Sequence, residues 1–324
     1  MSSALHLPTL PEIEAAAAVV YRAFAPTPQY RWALLSERLG TDCWVKHENH
    51  TPVGAFKIRG GLAFFDALAQ RGALPREVIS ATRGNHGQSI GWAARAHGVR
   101  CTIVVPRGNS PEKNAAMRAL GAVLVEHGDD FTAAADHARQ LAQERGALRV
   151  PSFDRDLVRG VATYWLEFLR AVPRLDVAYV PIGLGSGACA AIAAKRALGH
   201  AVRIVGVVSR HAPTYALSLA AGRVVEAPVT AQLADGMAVR RADAQALAVL
   251  AQGLDHVVQV DDAQVAAAMR ALHTDTHNTA EGAGAAALAA AVQERDRLAG
   301  QCVGLALTGA NVDAGVLAQV LQAV

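Results

Sequence analysis

Residues 177–188 read VAYVPIGLGSGA, and this stretch contains the pattern that decides the fold of the chain. Val177–Ile182 is continuously apolar, which is typical of a strand whose two faces are both covered by helices. Three glycines follow it, and a run of small residues with helical spacing follows the glycines. This succession recurs along the sequence and predicts a doubly wound α/β fold. The predicted strands are Cys43–Lys46, Val78–Ala81, Cys101–Pro106, Ala122–Val125, Val177–Ile182, Val202–Val208, His256–Val260 and Val303–Leu307.

The composition indicates a folded protein of enzyme size. The chain has 324 residues, of which 52% are apolar and 18% are charged, the reverse of the balance in disordered chains. This length favours two domains. The 31 basic and 28 acidic residues give a net charge of +3, and they form no cluster of one sign. We therefore expect no nucleic-acid partner.

The cysteines and the apolar runs bear on the compartment. Cys43, Cys101, Cys189 and Cys302 lie far apart and form no CxxC motif, so we expect buried free thiols in a reducing compartment. We find no pattern of a signal peptide, and the uncharged stretch of small residues at 282–292 is shorter than the ~20 residues that span a bilayer. The sequence predicts a cytoplasmic protein without a membrane partner.

In doubly wound folds, ligands bind beyond the carboxyl ends of the strands, and four turns there have unusual chemistry. The first reads TPVGAFKIRGG (residues 51–61), and Lys57 begins an apolar helical stripe. The helix N-terminus and partial burial both lower the pKa of such an amine, and a neutral amine is the form that attacks an aldehyde. The alternative is a surface lysine that extends into solvent.

The second turn, TRGNHGQ (residues 82–88), follows the strand Val78–Ala81. It would open a helix whose free N–H groups can bind a carboxylate, while Asn85 offers an amide donor. The alternative is an ordinary helix cap.

The fourth turn, TGANVD (residues 308–313), places Thr308 at a strand end, where its hydroxyl can face a ring nitrogen or simply cap a helix.

The third turn, GLGSGA (residues 183–188), has the glycines of a phosphate cradle. It also fits the dinucleotide pattern G-x-G-x-x-A, which requires an acidic residue about 20 positions later to bind the ribose. Residues 208–210 are Val, Ser and Arg, which excludes NAD and leaves an NADP-dependent oxidoreductase as a distant alternative.

Taken together and in this order, the four turns resemble the fold type II pyridoxal-phosphate enzymes, and most closely their threonine/serine dehydratase and serine racemase group. Residues 27–28 (TP), 46–49 (KHEN), 234–236 (ADG) and 281–282 (EG) extend the similarity over most of the chain. The block around Lys57 is the most specific part. The resemblance implies a two-domain doubly wound fold like that of tryptophan synthase β, and a homodimer. The expected domains are a large cofactor-binding one of residues 1–77 and 152–324, and a small mobile one of residues 78–151.

The resemblance also implies the cofactor and the site. Pyridoxal 5'-phosphate would be bound covalently by Lys57, the catalytic base and acid. The other implied cofactor-binding residues are Phe56, Asn85, Gly183, Leu184, Gly185, Ser186, Gly187, Glu281 and Thr308. The implied substrate-binding residues are Thr82, Arg83, Gly84, Asn85 and His86, where we expect Arg83 to contact an anionic group or form a surface ion pair.

The implied reaction is removal of water from a β-hydroxy amino acid of the threonine or serine type, which gives a 2-oxo acid and ammonia. A threonine hydroxyl facing the ring nitrogen cannot pair with a protonated ring, which favours elimination over transamination. Arg83 replaces the serine that acts as a base in the racemases of the group, and arginine stays protonated, so we doubt racemisation. A β-replacement synthase and a cofactor-binding protein without catalysis stay open as alternatives.

Three departures from the group narrow these expectations. Residues 208–214 (VSRHAPT) carry no carboxylate where many relatives bind a divalent cation, so we expect no metal there. Ala55 replaces a serine, which would leave room for a bulkier substrate such as phenylserine. The sequence ends soon after the fourth turn, so we expect the short form, which lacks a regulatory domain.

Overall fold

The computed structural model describes residues 5–323, in which strands and helices alternate. The strands are β1 (Gln29–Arg31), β2 (Asp42–His47), β3 (Glu77–Ala81), β4 (Arg100–Val105), β5 (Val123–Glu126), β6 (Leu148–Arg149), β7 (Val177–Pro181), β8 (Arg203–Ser209), β9 (His256–Val260) and β10 (Cys302–Leu307). The α-helices are α1 (Leu10–Tyr21), α2 (Ala33–Leu39), α3 (Lys57–Gln70), α4 (Asn85–Ala96), α5 (Pro111–Ala119), α6 (Phe131–Arg145), α7 (Arg155–Ala171), α8 (Ser186–Leu198), α9 (Thr214–Ala221), α10 (Ala244–Gly253), α11 (Asp262–Thr276), α12 (Gly282–Gln293) and α13 (Ala314–Gln322). Short 3₁₀ helices cover Glu48–His50, Asp235–Met237 and Arg295–Arg297.

All eight predicted strands are present, and each begins and ends within one residue of its predicted bounds. The sequence did not predict β1 and β6, which are three and two residues long. Neither has the apolar run by which a buried strand is recognised.

A six-stranded sheet in the order β1-β2-β10-β7-β8-β9 forms the larger half of the molecule. Its pairs are parallel except for β1 with β2. Successive side chains of β7 enter opposite cores: Ala178 and Val180 pack with α7 and α8, whereas Val177 and Tyr179 pack with α11 and α12. Helices on both faces explain why β7 and β10 are apolar throughout.

A second, fully parallel sheet has the order β5-β4-β3-β6, and all its strands lie between Glu77 and Arg149. Its two faces are also covered, because Val78 and Ile103 belong to one apolar cluster, and Ile79 and Val104 to another. Helix α3 packs against both α4 and α7, and so lies between the two sheets. The division into a large domain (1–77 and 152–324) and a small one (78–151) stays a prediction.

Candidate active site

A single cavity lies where β3, β7 and β10 end and where α3, α4 and α8 begin. All the site residues predicted from the sequence line this cavity, although they come from five separate segments of the chain. They are Phe56, Lys57, Thr82, Arg83, Gly84, Asn85, His86, Gly183, Leu184, Gly185, Ser186, Gly187, Glu281 and Thr308.

Lys57 is the first residue of α3, and its side chain points into the cavity rather than into bulk solvent. Its Nζ donates a hydrogen bond to Ser186 Oγ at 2.9 Å and lies 4.8 Å from the centre of the Phe56 ring. Burial lowers the pKa of this amine to about 8, against a smaller opposing effect of the Glu281 carboxylate. A large share of the amine is therefore neutral and nucleophilic near pH 8. The alternative of a lysine extended into solvent is wrong.

The start of α3 is held by a buried ionic cluster two residues further along the chain. Arg59 is fully buried, and its guanidinium donates to the carboxylates of Glu48 and Glu167. Lys46, also fully buried, donates to Glu167 at 2.6 Å. The side of α3 is equally fixed, because a Cβ on Gly160 of α7 would lie 2.1 Å from the Arg59 carbonyl oxygen. Lys57 thus begins a helix with little freedom to shift.

The loop Gly183–Gly187 has the geometry of a cradle for an anion. Gly185 has φ +101°, a conformation that favours glycine, and a Cβ on Gly183 would lie 2.3 Å from the Gly236 carbonyl oxygen. Ser186 opens α8, whose first N–H groups have no partner within the helix. The Tyr215 hydroxyl fixes the loop from below by donating to the Leu184 carbonyl at 2.8 Å. Backbone N–H groups at a helix start bind phosphate well.

Thr308 follows β10 and forms another wall of the cavity. Its carbonyl oxygen accepts a hydrogen bond from the Phe56 N–H at 3.0 Å, and Ala55 forms an isolated bridge with Gly309. The segment before Lys57 is therefore attached to the end of the central strand. Ala55 is fully buried in this junction and does not line the cavity, so its small side chain gives no support to a bulkier substrate.

Asn85 and Glu281 are neighbours in the cavity wall. The Asn85 amide donates to Glu281 Oε1 at 2.6 Å and accepts from the Asn311 amide at 2.8 Å. Burial raises the pKa of the Glu281 carboxyl, while Lys113 acts in the opposite direction.

Lys113 and Asp235 also line the cavity, although neither is among the site residues predicted from the sequence. Lys113 Nζ lies 2.7 Å from Asp235 Oδ2 and 3.4 Å from Glu281 Oε2. Asp235 lies in the segment 234–236 that resembles the dehydratase group, so the sequence contains a signal for it. Lys113 carried none, because it lies in the polar helix α5 and meets its partners only in the folded chain.

The loop Thr82–His86 connects β3 to α4. The Thr82 hydroxyl accepts from the Gly84 N–H at 3.0 Å, and a Cβ on Gly84 would lie 2.5 Å from Lys113 Cδ. His86 is buried, which lowers its pKa to about 3, so its imidazole is neutral. Arg83 lines the cavity with a buried Nε that has no hydrogen-bond partner, and within residues 5–323 it forms no ion pair. The expected surface ion pair of Arg83 is therefore wrong.

Comparison with known proteins decides the family. The family model described as "Pyridoxal-phosphate dependent enzyme" matches residues 20–309, most of the chain. The chain belongs to this family of pyridoxal-phosphate dependent enzymes.

Relatives within this family are consistent with the predicted group. The chain is 40% identical to an L-threonine ammonia-lyase of Geobacter sulfurreducens over 89% of its own length and 71% of that protein. It is 32% identical to the biosynthetic L-threonine dehydratase of Haemophilus influenzae over 91% of its own length, but it spans only 58% of that protein. The structure of maize serine racemase superposes with a TM-score of 0.89 at 26% identity, covering 97% of each chain.

The cavity of this pyridoxal-phosphate dependent enzyme fits the cofactor. It offers an amine with a pKa of about 8, a glycine loop at the start of α8 in which a Cβ on Gly183 would clash with the Gly236 carbonyl oxygen, and buried polar atoms such as Arg83 Nε. The predicted family, fold class, cofactor and enzyme class, a pyridoxal-phosphate dependent lyase of the threonine/serine dehydratase type, are confirmed. Family membership also decides against the NADP alternative.

The remaining expectations concern metal binding, membrane spans, the cysteines, the location and the oligomeric state. Among residues 5–323 no three His, Cys, Asp or Glu side chains are grouped as metal ligands would be. In the same range, no helix is long and apolar enough to span a bilayer. All four cysteines are free and buried. The cytoplasmic location and the homodimer stay predictions.

Proposed function

We propose that the chain is a dehydratase that removes water from a β-hydroxy amino acid of the threonine or serine type and releases a 2-oxo acid and ammonia. The observation that carries the proposal is the buried amine of Lys57, which has a pKa of about 8 and donates a hydrogen bond to Ser186 at the start of α8. The Geobacter relative, named an L-threonine ammonia-lyase, supports the same reaction type.

Each wall of the cavity has a part in this proposal. Pyridoxal phosphate, when bound, withdraws electrons from the α-carbon of the amino acid. The N–H groups of Gly183–Gly187 would hold the phosphate, and Phe56 and Thr308, which line the same cavity, would flank the ring. The N–H groups at the start of α4 bind the α-carboxylate of the substrate.

Lys57 moves the proton in this scheme. Its neutral amine removes the proton from Cα, and the ammonium formed in this way returns a proton to the hydroxyl on Cβ, which leaves as water. Hydrolysis of the released imine consumes one water and yields ammonia, so the overall change is loss of ammonia from the amino acid. The Thr308 hydroxyl carries no charge to pair with a protonated ring, which favours early loss of the leaving group.

Two measurements test the proposal. Borohydride reduction of the holoenzyme followed by peptide mass spectrometry should place a pyridoxyl group on Lys57. L-Threonine, L-serine and arylserines should then be supplied without a second nucleophile, and 2-oxo acid release should be measured. We expect turnover of the small substrates and none in Lys57→Ala. A label on another lysine, or turnover in that variant, would contradict the proposal.

The same assay separates the alternatives. Chiral chromatography of the residual substrate detects a racemase, to which the fold of the maize enzyme gives some weight. Arg83, a poor base, stands against it. A β-replacement synthase would release no 2-oxo acid until a thiol or other nucleophile is added.

A further inference from the structure

The Arg83 guanidinium is a charged group of the cavity wall that the proposed reaction does not use. It lies between Thr82 and Gly84 in the loop that enters α4, and it is partly buried. Its Nε is fully enclosed and has no hydrogen-bond partner. Leaving a buried donor unsatisfied is costly, and more so when it belongs to a charged group.

The other charged side chains that line the cavity have partners among the described residues. Lys113 is paired with both Asp235 and Glu281, and Asn85 donates to Glu281 as well. About half of the Lys57 amine is neutral near pH 8, and its Nζ donates to Ser186 Oγ. Arg83 is therefore the charged side chain of this cavity for which the described residues provide no counter-ion.

The ligands already assigned leave Arg83 free. The cofactor phosphate has the cradle at Gly183–Gly187, and the α-carboxylate has the backbone N–H groups at the start of α4. Threonine has only a methyl group beyond its hydroxyl, and a methyl group beside Arg83 would leave the guanidinium N–H unsatisfied. A second carboxylate would accept charge-assisted hydrogen bonds from the terminal N–H groups of the guanidinium and balance its charge.

We propose that Arg83 is a specificity-determining residue that binds a carboxylate on Cβ of the substrate, so that the preferred substrates are β-hydroxy amino acids with two carboxylates, such as 3-hydroxyaspartate. This inference rests on the proposed dehydratase function. The reaction breaks the Cα–H and Cβ–O bonds, releases water, and after hydrolysis of the imine gives oxaloacetate and ammonia.

The test compares two substrates of nearly equal shape. Each stereoisomer of 3-hydroxyaspartate is assayed beside 3-hydroxyasparagine of the same configuration, in which a neutral amide replaces the β-carboxylate. In the unmodified holoenzyme, kcat/KM for the acid should exceed that for the amide at least tenfold. Charged hydrogen bonds are worth about 1.5–3 kcal/mol, so Arg83→Gln should reduce this ratio by about 10- to 150-fold.

Two further variants control the comparison. Arg83→Lys keeps the charge without Nε and should retain part of the ratio. Arg118→Gln removes the same charge from the exposed surface of α5 and should keep the ratio of the unmodified enzyme. Cofactor absorbance and thermal unfolding of each variant monitor loading and folding.

Three results would overturn the inference. One is an equal fall with both substrates in Arg83→Gln, which would place Arg83 on the α-carboxylate. A second is a loss of cofactor affinity in that variant, which would place it on the phosphate. A third is an acid-to-amide ratio near one in the unmodified enzyme.

A binding arm keeps the inference distinguishable from the dehydratase function. Malate and 3-hydroxybutanoate, which differ in the second carboxylate and cannot eliminate ammonia, are titrated into the holoenzyme by calorimetry. Malate should bind at least tenfold more tightly, and Arg83→Gln should abolish the difference. This result would support the carboxylate site even if no amino acid were turned over. Equal binding, together with turnover of threonine, would refute the site and leave the dehydratase function standing.

Discussion

The buried ionic cluster behind α3 yields the sharpest stability prediction. Arg59 is fully buried and donates to both Glu48 and Glu167, and the cluster with Lys46 carries two positive and two negative charges. Arg59→Met fills a similar volume but leaves the fully buried Glu48 carboxylate without its cation. Breaking a buried pair in this way costs about 3–5 kcal/mol.

Urea unfolding of the holoenzyme, followed by tryptophan fluorescence, measures this loss. With an m-value of about 3 kcal/mol per M, the midpoint should fall by about 1 to 1.7 M. Adding Glu48→Gln should recover part of the loss, because the unpaired charge is then removed. The matched control is Arg107→Met, which breaks an exposed ion pair with Asp129 and should cost less than about 1 kcal/mol.

The refuting results are defined by the same experiment. A loss in Arg59→Met no larger than in the Arg107→Met control would mean that the cluster contributes packing alone. A double variant as unstable as Arg59→Met would show that the stranded Glu48 charge is not the source of the loss.

Three further predictions concern the cavity. The initial rate of pyridoxal phosphate capture by the apoprotein, measured by absorbance, should rise with pH around a midpoint of about 8, because burial lowers the pKa of Lys57 from 10.5 to that value. A midpoint near 10 would contradict the burial argument. The same pKa shift affects stability, because between pH 8 and 10.5 the amine of Lys57 is protonated in the unfolded chain and neutral in the folded one. The free energy of unfolding of the apoprotein should therefore rise with pH over this range. Denaturation of Lys57→Met should lack this part of the rise. Gly183→Ala should weaken cofactor binding at least tenfold in a fluorescence titration, because its Cβ would lie 2.3 Å from the Gly236 carbonyl oxygen and the loop would have to move. The control is Gly315→Ala, whose Cβ would have no atom within 4 Å. Equal affinities of the two variants would refute the role of the loop in binding phosphate.

The strands and the phosphate loop could be predicted from the sequence because their signals are local. A continuously apolar run such as Val177–Ile182 is recognisable in one stretch, and the topology of parallel sheets brings strand ends together. The rule that ligands bind there is sufficient to place Lys57, Asn85, Ser186 and Thr308 at one cavity before any coordinates exist.

The charged clusters could not be predicted because their signals are not local. Arg59 lies in the quoted block around Lys57, yet its partner Glu167 is 108 positions away. Lys113 meets Asp235 across 122 positions. Nothing in a polar helix such as α5 indicates which of its lysines turns inward, and the unpaired state of Arg83 is visible only when all its neighbours are known.

The helices α3, α4 and α8 all begin at the cavity, and their peptide groups do not titrate. Each helix start presents about half a positive charge from aligned peptide dipoles. The electrostatic potential that draws in a phosphate ester is therefore a property of the backbone, and it persists whatever the protonation state of the lysine. Noncovalent binding of the cofactor and its covalent attachment are therefore separate events, and a variant without the Lys57 amine should still bind the cofactor reversibly.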